Sequence, residues 1–283
     1  MKNIKFFPFY IISILPFPIL YLLSDFAFLV LYYLVRYRRK VVAENLKNAF
    51  PELNKSALKN IEKKFYKHFC ALTLETFKVL TINKKTIEKR FQLKNKELLE
   101  RIYSENRSVI LFTAHDGNWE WLAFLPLLIS HSTTTLYKPL SNNYYNALIK
   151  KIRSRYGVLC IESDRGYKTL LRMQQENILS VNYIVGDQRP GPAAQQYITT
   201  FLNQETAFLV GAERIAKKTN QPLIFPSYKK LRRGYYEITF VMLEEFPQQT
   251  QEMEIIEKFA RTLEHKIQEN PEMWLWSHRR WKK

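Results

Sequence analysis

From Ser108 onward the chain alternates short apolar runs with stretches of helical periodicity, and this pattern restricts the fold more than any other. Residues 109–113, 133–137, 158–162, 181–185, 223–228 and 236–241 read as strands. Residues 119–129, 144–155, 167–175 and 207–218 read as the helices between them, and 252–268 as a later helix ahead of Pro271. Such alternation predicts an α/β fold with a mixed, largely parallel sheet flanked by helices. Residues 229–235 read as a turn joining two adjacent strands. Upstream, 41–107 reads as a helical layer. Within it, 56–80 carries Leu58, Ile61, Phe65, Phe69, Leu72 and Phe77 at near-helical spacing, and 96–105 forms a shorter helix.

The first 40 residues are different in kind. Residues 6–35 are almost wholly apolar, interrupted by Ser24 and Asp25, and exceed the roughly 20 residues that span a bilayer core. Pro8, Pro16 and Pro18 argue against one straight helix, so a kinked, shallow or re-entrant anchor is compatible with the sequence. The apolar segment is too long for a cleaved signal peptide, and no small-residue cleavage site follows it. Arg36, Arg38, Arg39 and Lys40 outweigh Lys2 and Lys5, which predicts that the chain beyond residue 40 lies in the cytoplasm. The same side chains can hold anionic headgroups. The organisation expected is a membrane anchor over 1–40 and a catalytic domain over 41–283, its helical layer at 41–107 and its α/β core at 108–283.

With 44 Lys and Arg against 26 Asp and Glu, the formal net charge is +18, so the chain seeks a polyanion. Zinc-finger spacing, an RNA-recognition aromatic motif and basic-region heptads are all missing, which disfavours nucleic acid. Cys70 and Cys160 have no metal spacing and read as small core residues. His68, His131 and His265 show no partner spacing and read as ordinary.

The candidate chemistry lies in Ala114-His115-Asp116-Gly117-Asn118-Trp119-Glu120. His115 falls where a strand ends, and Glu120 five residues on, where a helix begins. Gly117 permits the turn that brings them together. A carboxylate on one ring nitrogen fixes the tautomer and leaves the other nitrogen free to take a proton from a hydroxyl. Taken alone, the two residues also suit a loop histidine and a first-turn glutamate favoured by the helix dipole. Asp187 follows the 181–185 strand, at the end where open α/β sheets bind ligands, and equally suits a turn ahead of Pro190 and Gly191. Arg153 reads either as a phosphate or oxyanion contact or as part of a solvated helix face.

His115 and Glu120 match the H-x4-D/E pattern of the glycerolipid acyltransferase superfamily. Gly117-Asn118-Trp119-Glu120, Tyr137-Lys138-Pro139, Asp187-Gln188 followed by Gly191, and the tail from Pro271 through Trp274, Trp276, His278, Arg279 and Arg280 to Trp281 together resemble the lipid A biosynthesis late acyltransferase family. That resemblance covers nearly the whole chain. It implies acyl transfer from acyl carrier protein to a hydroxyl of a phosphorylated lipid A precursor, on the cytoplasmic face of the inner membrane. It implies His115 as general base with Glu120 orienting it, and Asn118, Lys138, Arg153, Asp187 and Gln188 around the substrate. Neither cofactor nor metal is implied. Loop amides around Gly117 and Asn118, or a nearby arginine, are candidates for holding the oxyanion. His278, Arg279 and Arg280 would hold phosphates or form a basic surface patch, while Trp274, Trp276 and Trp281 would pack on the core or meet the membrane interface.

The chain departs from the family pattern at three places. Asp116 replaces a usual aromatic residue, Ala114 a common glycine, and Lys138 a usual arginine, losing the bidentate fork. A second carboxylate beside His115 favours the charged imidazole if it turns inward, and otherwise faces solvent. Two other readings remain open: the same chemistry on another glycolipid or aminolipid, and a non-catalytic basic protein that binds anionic lipid.

Overall fold

The structure, a computed structural model, describes residues 4–191 and 194–281. Lys2, Lys282 and Lys283 of the terminal basic clusters lie outside the described residues. The apolar N-terminal stretch forms helices α1 (Phe7–Ile14) and α2 (Phe17–Leu29), and α2 runs on as a π-wound segment, Val30–Val35. Pro16 separates the two helices. Pro8 and Pro18 sit in first turns, where a missing N–H costs no intrahelical bond. The stretch Phe17–Val35 is long and apolar enough to cross a membrane by length and composition. Helices α3 (Arg39–Ala49) and α4 (Lys55–Lys78) follow. At 24 residues α4 is about 36 Å long, and the Asn54 side chain caps it by accepting from the Ala57 amide. Helices α1, α2 and α3 all pack along α4.

After α5 (Lys84–Arg90), β1 (Phe91–Leu93) and α6 (Glu97–Ser104) the α/β core begins. Its elements are β2 (Val109–Thr113), β3 (Ser132–Tyr137), α7 (Asn143–Arg153), β4 (Leu159–Glu162), α8 (Gly166–Gln175), β5 (Ser180–Val185), β6 (Gln196–Phe201), β7 (Gln204–Leu209), α9 (Gly211–Thr219), β8 (Leu223–Arg232), β9 (Tyr235–Glu244) and α10 (Glu254–Glu269). Seven strands form one sheet in the order β1-β9-β8-β2-β5-β3-β4, in which only the β8–β9 pairing is antiparallel. The mixed, largely parallel sheet is therefore present. Central strand β2 is buried along its whole length, as its unbroken apolar run requires. Phe112 and Phe225 of one sheet face pack with α8, α9 and α10; Val109, Leu111 and Tyr183 of the other pack with Trp121, Phe124 and α7.

Four assignments change. Phe91–Leu93, inside the stretch that reads as a helical layer, forms β1 at the edge of the sheet beside β9. Residues 196–209, whose last three read from sequence as the start of a helix, form the separate β6–β7 hairpin, and α9 starts only at Gly211. Its two-residue turn is Leu202-Asn203, both at positive φ, and leucine hides what asparagine-glycine would have announced. The stretch after Asn118 winds as a 3₁₀ segment, Trp119–Leu127, carrying Pro126. Strands β8 and β9 extend through most of 229–235, leaving the tight turn at Gly234.

Candidate active site

The register of β2 on β5 positions the site. Thr113 lies opposite Val185, so the residues two steps beyond, His115 and Asp187, emerge side by side at the C-terminal edge of the sheet. The imidazole Nδ1 of His115 lies 2.8 Å from Asp187 Oδ1. The other Asp187 oxygen accepts from the His115 amide at 3.0 Å and from the Trp274 indole N–H at 2.9 Å. Burial would push the Asp187 carboxyl up, but His115 and these donors outweigh it and hold it below the usual carboxylate range. With Asp187 accepting, Nδ1 carries the proton and Nε2 presents its lone pair, 3.2 Å from the Gln188 amide nitrogen; the partners assign this tautomer. The ring stands edge-on to Trp119, 5.2 Å between centroids.

Glu120 does not occupy the place expected for it. Its carboxylate faces Arg153, with Oε2 2.9 Å from Nε and Oε1 2.6 Å from an Nη, and Oε1 also accepts from the Trp119 indole. The carboxylate on the ring of His115 is Asp187. The reason lies in the strand register, which sets Asp187 beside His115, whereas the 3₁₀ winding after Asn118 carries Glu120 to the end of α7. Burial would raise the Glu120 carboxyl, yet the Arg153 guanidinium more than offsets it and leaves it lowered.

Asn118 is likewise displaced from the substrate role. It is fully buried, and its amide donates to Glu75 of α4 at 2.7 Å. Glu75 also accepts from Tyr21 of α2 at 3.0 Å and from Tyr236 of β9 at 2.9 Å, and its carbonyl accepts from the Trp121 indole. Burial raises the Glu75 carboxyl despite these donors. One α4 turn-pair earlier, His68 Nε2 lies 3.2 Å from the Gly117 carbonyl. His68 and Glu75, seven residues apart and so on one helix face, thus grip the turn after His115 from behind. His68, which reads as ordinary in the sequence, belongs to the support of the site; its signal is a polar pair seven apart on an otherwise apolar helix face.

Gly117 has φ +63°, and a Cβ there would come within 2.4 Å of the Tyr228 ring. Its amide is committed to the Met273 carbonyl, which removes it from the candidates for the oxyanion. Gly117→Ala is expected to cost roughly 3 kcal/mol, combining left-handed strain with overpacking. It should also lower activity, because the clash lies two residues from His115. Urea unfolding and turnover on the same preparation check both.

Asp116 turns inward. It is buried, and neither carboxyl oxygen makes a well-formed hydrogen bond among the described residues. Burial pushes its carboxyl up to about 7, with Lys266 opposing and Asp187 adding to the rise. The tail lies across this turn: Leu275 N–H donates to the His115 carbonyl, and Asp116 bridges Trp274. Trp274 and Trp276 are buried in the core, and the Trp281 indole bonds Thr206. His278 Nε2 accepts from the Arg189 amide, and Arg280 is buried against the Ala207 carbonyl.

A cavity of about 660 Å³ opens at His115 and straddles the edge of the sheet. Phe112, Ile184 and Ile215 wall it on one sheet face, Leu122, Val158 and Tyr183 on the other. Glu120, Arg153, Gln188 and Lys138 also line it, and Lys138 is exposed. The sequence-derived residues His115, Glu120, Lys138, Arg153 and Gln188 therefore meet in one apolar-walled cavity, with Asp187 behind the histidine and Asn118 in the core.

A family-wide profile described as bacterial lipid A biosynthesis acyltransferase matches residues 4–283. The chain belongs to the bacterial lipid A biosynthesis acyltransferase family. No curated protein matches the chain at a significant level. Membership makes the protein an acyltransferase of lipid A biosynthesis, acting with a lipid acceptor and an acyl donor. An apolar-walled cavity is what such a transferase needs for a hydrocarbon chain. The apolar N-terminal helix is compatible with association with a membrane.

Proposed function

We propose that the protein transfers a fatty acyl chain from acyl carrier protein to a hydroxyl of a phosphorylated lipid A precursor, at the cytoplasmic face of the inner membrane. The observation that carries this reading is the His115 imidazole, braced by Asp187 through Nδ1 and presenting Nε2 to an apolar-walled cavity. An alcohol is a poor nucleophile at neutral pH, so a base must take its proton as it attacks. In this reading Nε2 removes the hydroxyl proton while the oxygen attacks the thioester carbonyl. A C–O bond forms, the C–S bond breaks, and the imidazolium returns the proton to the departing thiolate. Asp187 stays ionised and stabilises the imidazolium. Arg153, fixed by Glu120 in the cavity wall, supplies positive potential for the oxyanion. Lys138 at the mouth and the net charge of +18 suit a phosphorylated acceptor and an acidic carrier.

The test is acyl transfer in detergent, offering carrier-protein and coenzyme A thioesters with a tetra-acylated lipid A precursor, and reading products by mass spectrometry. The expected product is the precursor heavier by one acyl group, formed faster from the carrier-protein thioester. A preference for coenzyme A overturns the donor; acylation of another lipid from a cell extract, with the precursor untouched, overturns the acceptor.

A further inference from the structure

The two faces of α2 are both apolar, and they face different things. Phe17, Leu20, Ser24 and Phe28, with Tyr32 beyond, form the buried face. Ile19, Leu22, Leu23, Phe26, Leu29 and Tyr33 form the opposite face and are 42–71% exposed. Phe7, Ile11 and Ile14 continue that exposed stripe along α1. A contiguous apolar surface of this kind marks a partner. The body of the protein already covers the other face from end to end, which a helix surrounded by lipid does not allow.

Asp25 lies one residue from the middle of Phe17–Val35 and is held by both terminal nitrogens of Arg233, at 2.9 and 2.8 Å. Arg233 belongs to the β8–β9 hairpin, where Arg232 is exposed. If α2 crossed the bilayer, that hairpin tip would be drawn to the hydrocarbon centre, where each charge costs roughly 2.5–3.5 kcal/mol or more. The joint between α1 and α2 is also fastened: Lys78 Nζ donates to the Ser13 and Leu15 carbonyls at 2.7 Å each.

The exposed stripe continues to the mouth of the cavity. Tyr144 packs on Phe6 and Phe9 of the N-terminal segment, 5.3 and 6.3 Å between centroids, and its hydroxyl donates to the Lys5 carbonyl. Tyr145 beside it is 51% exposed, and Leu140, 48% exposed, lines the cavity. Lys5, Lys138, Arg36, Arg38 and Lys40 are exposed around this surface, a charge complement to anionic headgroups.

We propose that the protein is monotopic: α1 and α2 lie flat in one leaflet of an anionic bilayer. Residues 138–145 dip in beside them, so that the cavity opens at lipid level and a lipid acceptor reaches His115 sideways. The binding mode stands on the surface described; the sideways entry rests on the proposed function. Arg233 and Asp25 then stay at headgroup depth, and the exposed stripe enters the acyl region.

Two measurements test it without an activity readout. Lys5→Cys and Lys40→Cys proteins are labelled in sealed spheroplasts with a membrane-impermeant maleimide, against the background of Cys70 and Cys160 in the parent. The two positions are expected to behave alike, protected until lysis. Labelling of one and not the other means that α2 spans, and overturns the proposal. Flotation with phosphatidylethanolamine–phosphatidylglycerol vesicles then compares the parent with Tyr145→Glu. Residue 145 is the third of α7, where glutamate suits the helix dipole, so the variant keeps its fold. It is expected to bind roughly tenfold more weakly, about 1.4 kcal/mol. A variant that floats like the parent overturns the 138–145 contact, and a parent that stays off vesicles and pairs with a second copy overturns the lipid surface.

Discussion

Replacing His115 by alanine is expected to lower kcat by roughly 10²–10⁴-fold, the range general base catalysis contributes, with a folded protein remaining. Asp187→Asn should come close to the same loss. An asparagine cannot balance the imidazolium, and its amide can donate to Nδ1 and turn the ring to the wrong tautomer. Glu120→Gln separates the geometry from the spacing of the motif. If Glu120 oriented the base, its neutralisation would match Asp187→Asn. In the arrangement described, Glu120 touches Arg153, so Glu120→Gln loosens a cation in the cavity wall and leaves the base intact. The expected order of turnover is therefore Glu120→Gln well above Asp187→Asn, which is near His115→Ala. Steady-state kinetics on variants of matched far-UV circular dichroism decide it. Near-parental kcat in Asp187→Asn would sink the assignment of its role.

Asp116→Asn should stabilise the protein, and the gain should depend on pH. The Asp116 carboxyl titrates near 7 when folded against 3.8 when free, so the folded state holds an extra proton between these values. The stability it contributes is whole below about pH 4 and is lost as pH rises through 7. His68 runs the other way. Burial, helped by Lys230, pushes its imidazole down to about 3 from 6.5, so it is the unfolded chain that takes up the extra proton as pH falls. The two slopes oppose each other between about pH 4 and 6.5, which flattens the parent's profile in that range. Removing the Asp116 charge leaves the His68 slope alone. Asp116→Asn should match the parent near pH 4 and exceed it by about 2–4 kcal/mol above pH 7, the upper figure being the full displacement from 3.8 to 7. Urea unfolding at both ends of the range checks it. A constant difference across pH would mean that Asp116 is not the group titrating.

The sheet was legible because its central strands are predominantly apolar and its helices carry clean periodicity; six strands and the helices between most of them follow from that alone. The β6–β7 hairpin was not. It is half exposed, so its alternation mixes polar and apolar residues, and its turn uses Leu202 at positive φ. In the site, His115 and its turn were legible from glycine and strand-end position. Its partner was not, because spacing along the chain measures only local reach. The partner comes from 72 residues away through the register of two parallel strands, and that register is a property of the whole sheet. Asp187 was visible as a strand-end carboxylate; which strand it neighboured was not. Asn118 sits in the motif around His115 yet serves the core, since its partner Glu75 lies on a helix whose packing the motif does not encode.

Glu75 has a consequence for how this enzyme can be handled. A single buried carboxylate joins the outermost apolar helix, through Tyr21, to the loop that carries His115, through Asn118, and to the sheet, through Tyr236. Trimming the greasy N-terminus to obtain a water-soluble version would remove one of its three donors and open its surroundings to solvent. The N-terminal helix is thus a structural member of the candidate site, and a shortened protein would lose part of what holds the His115 turn in place.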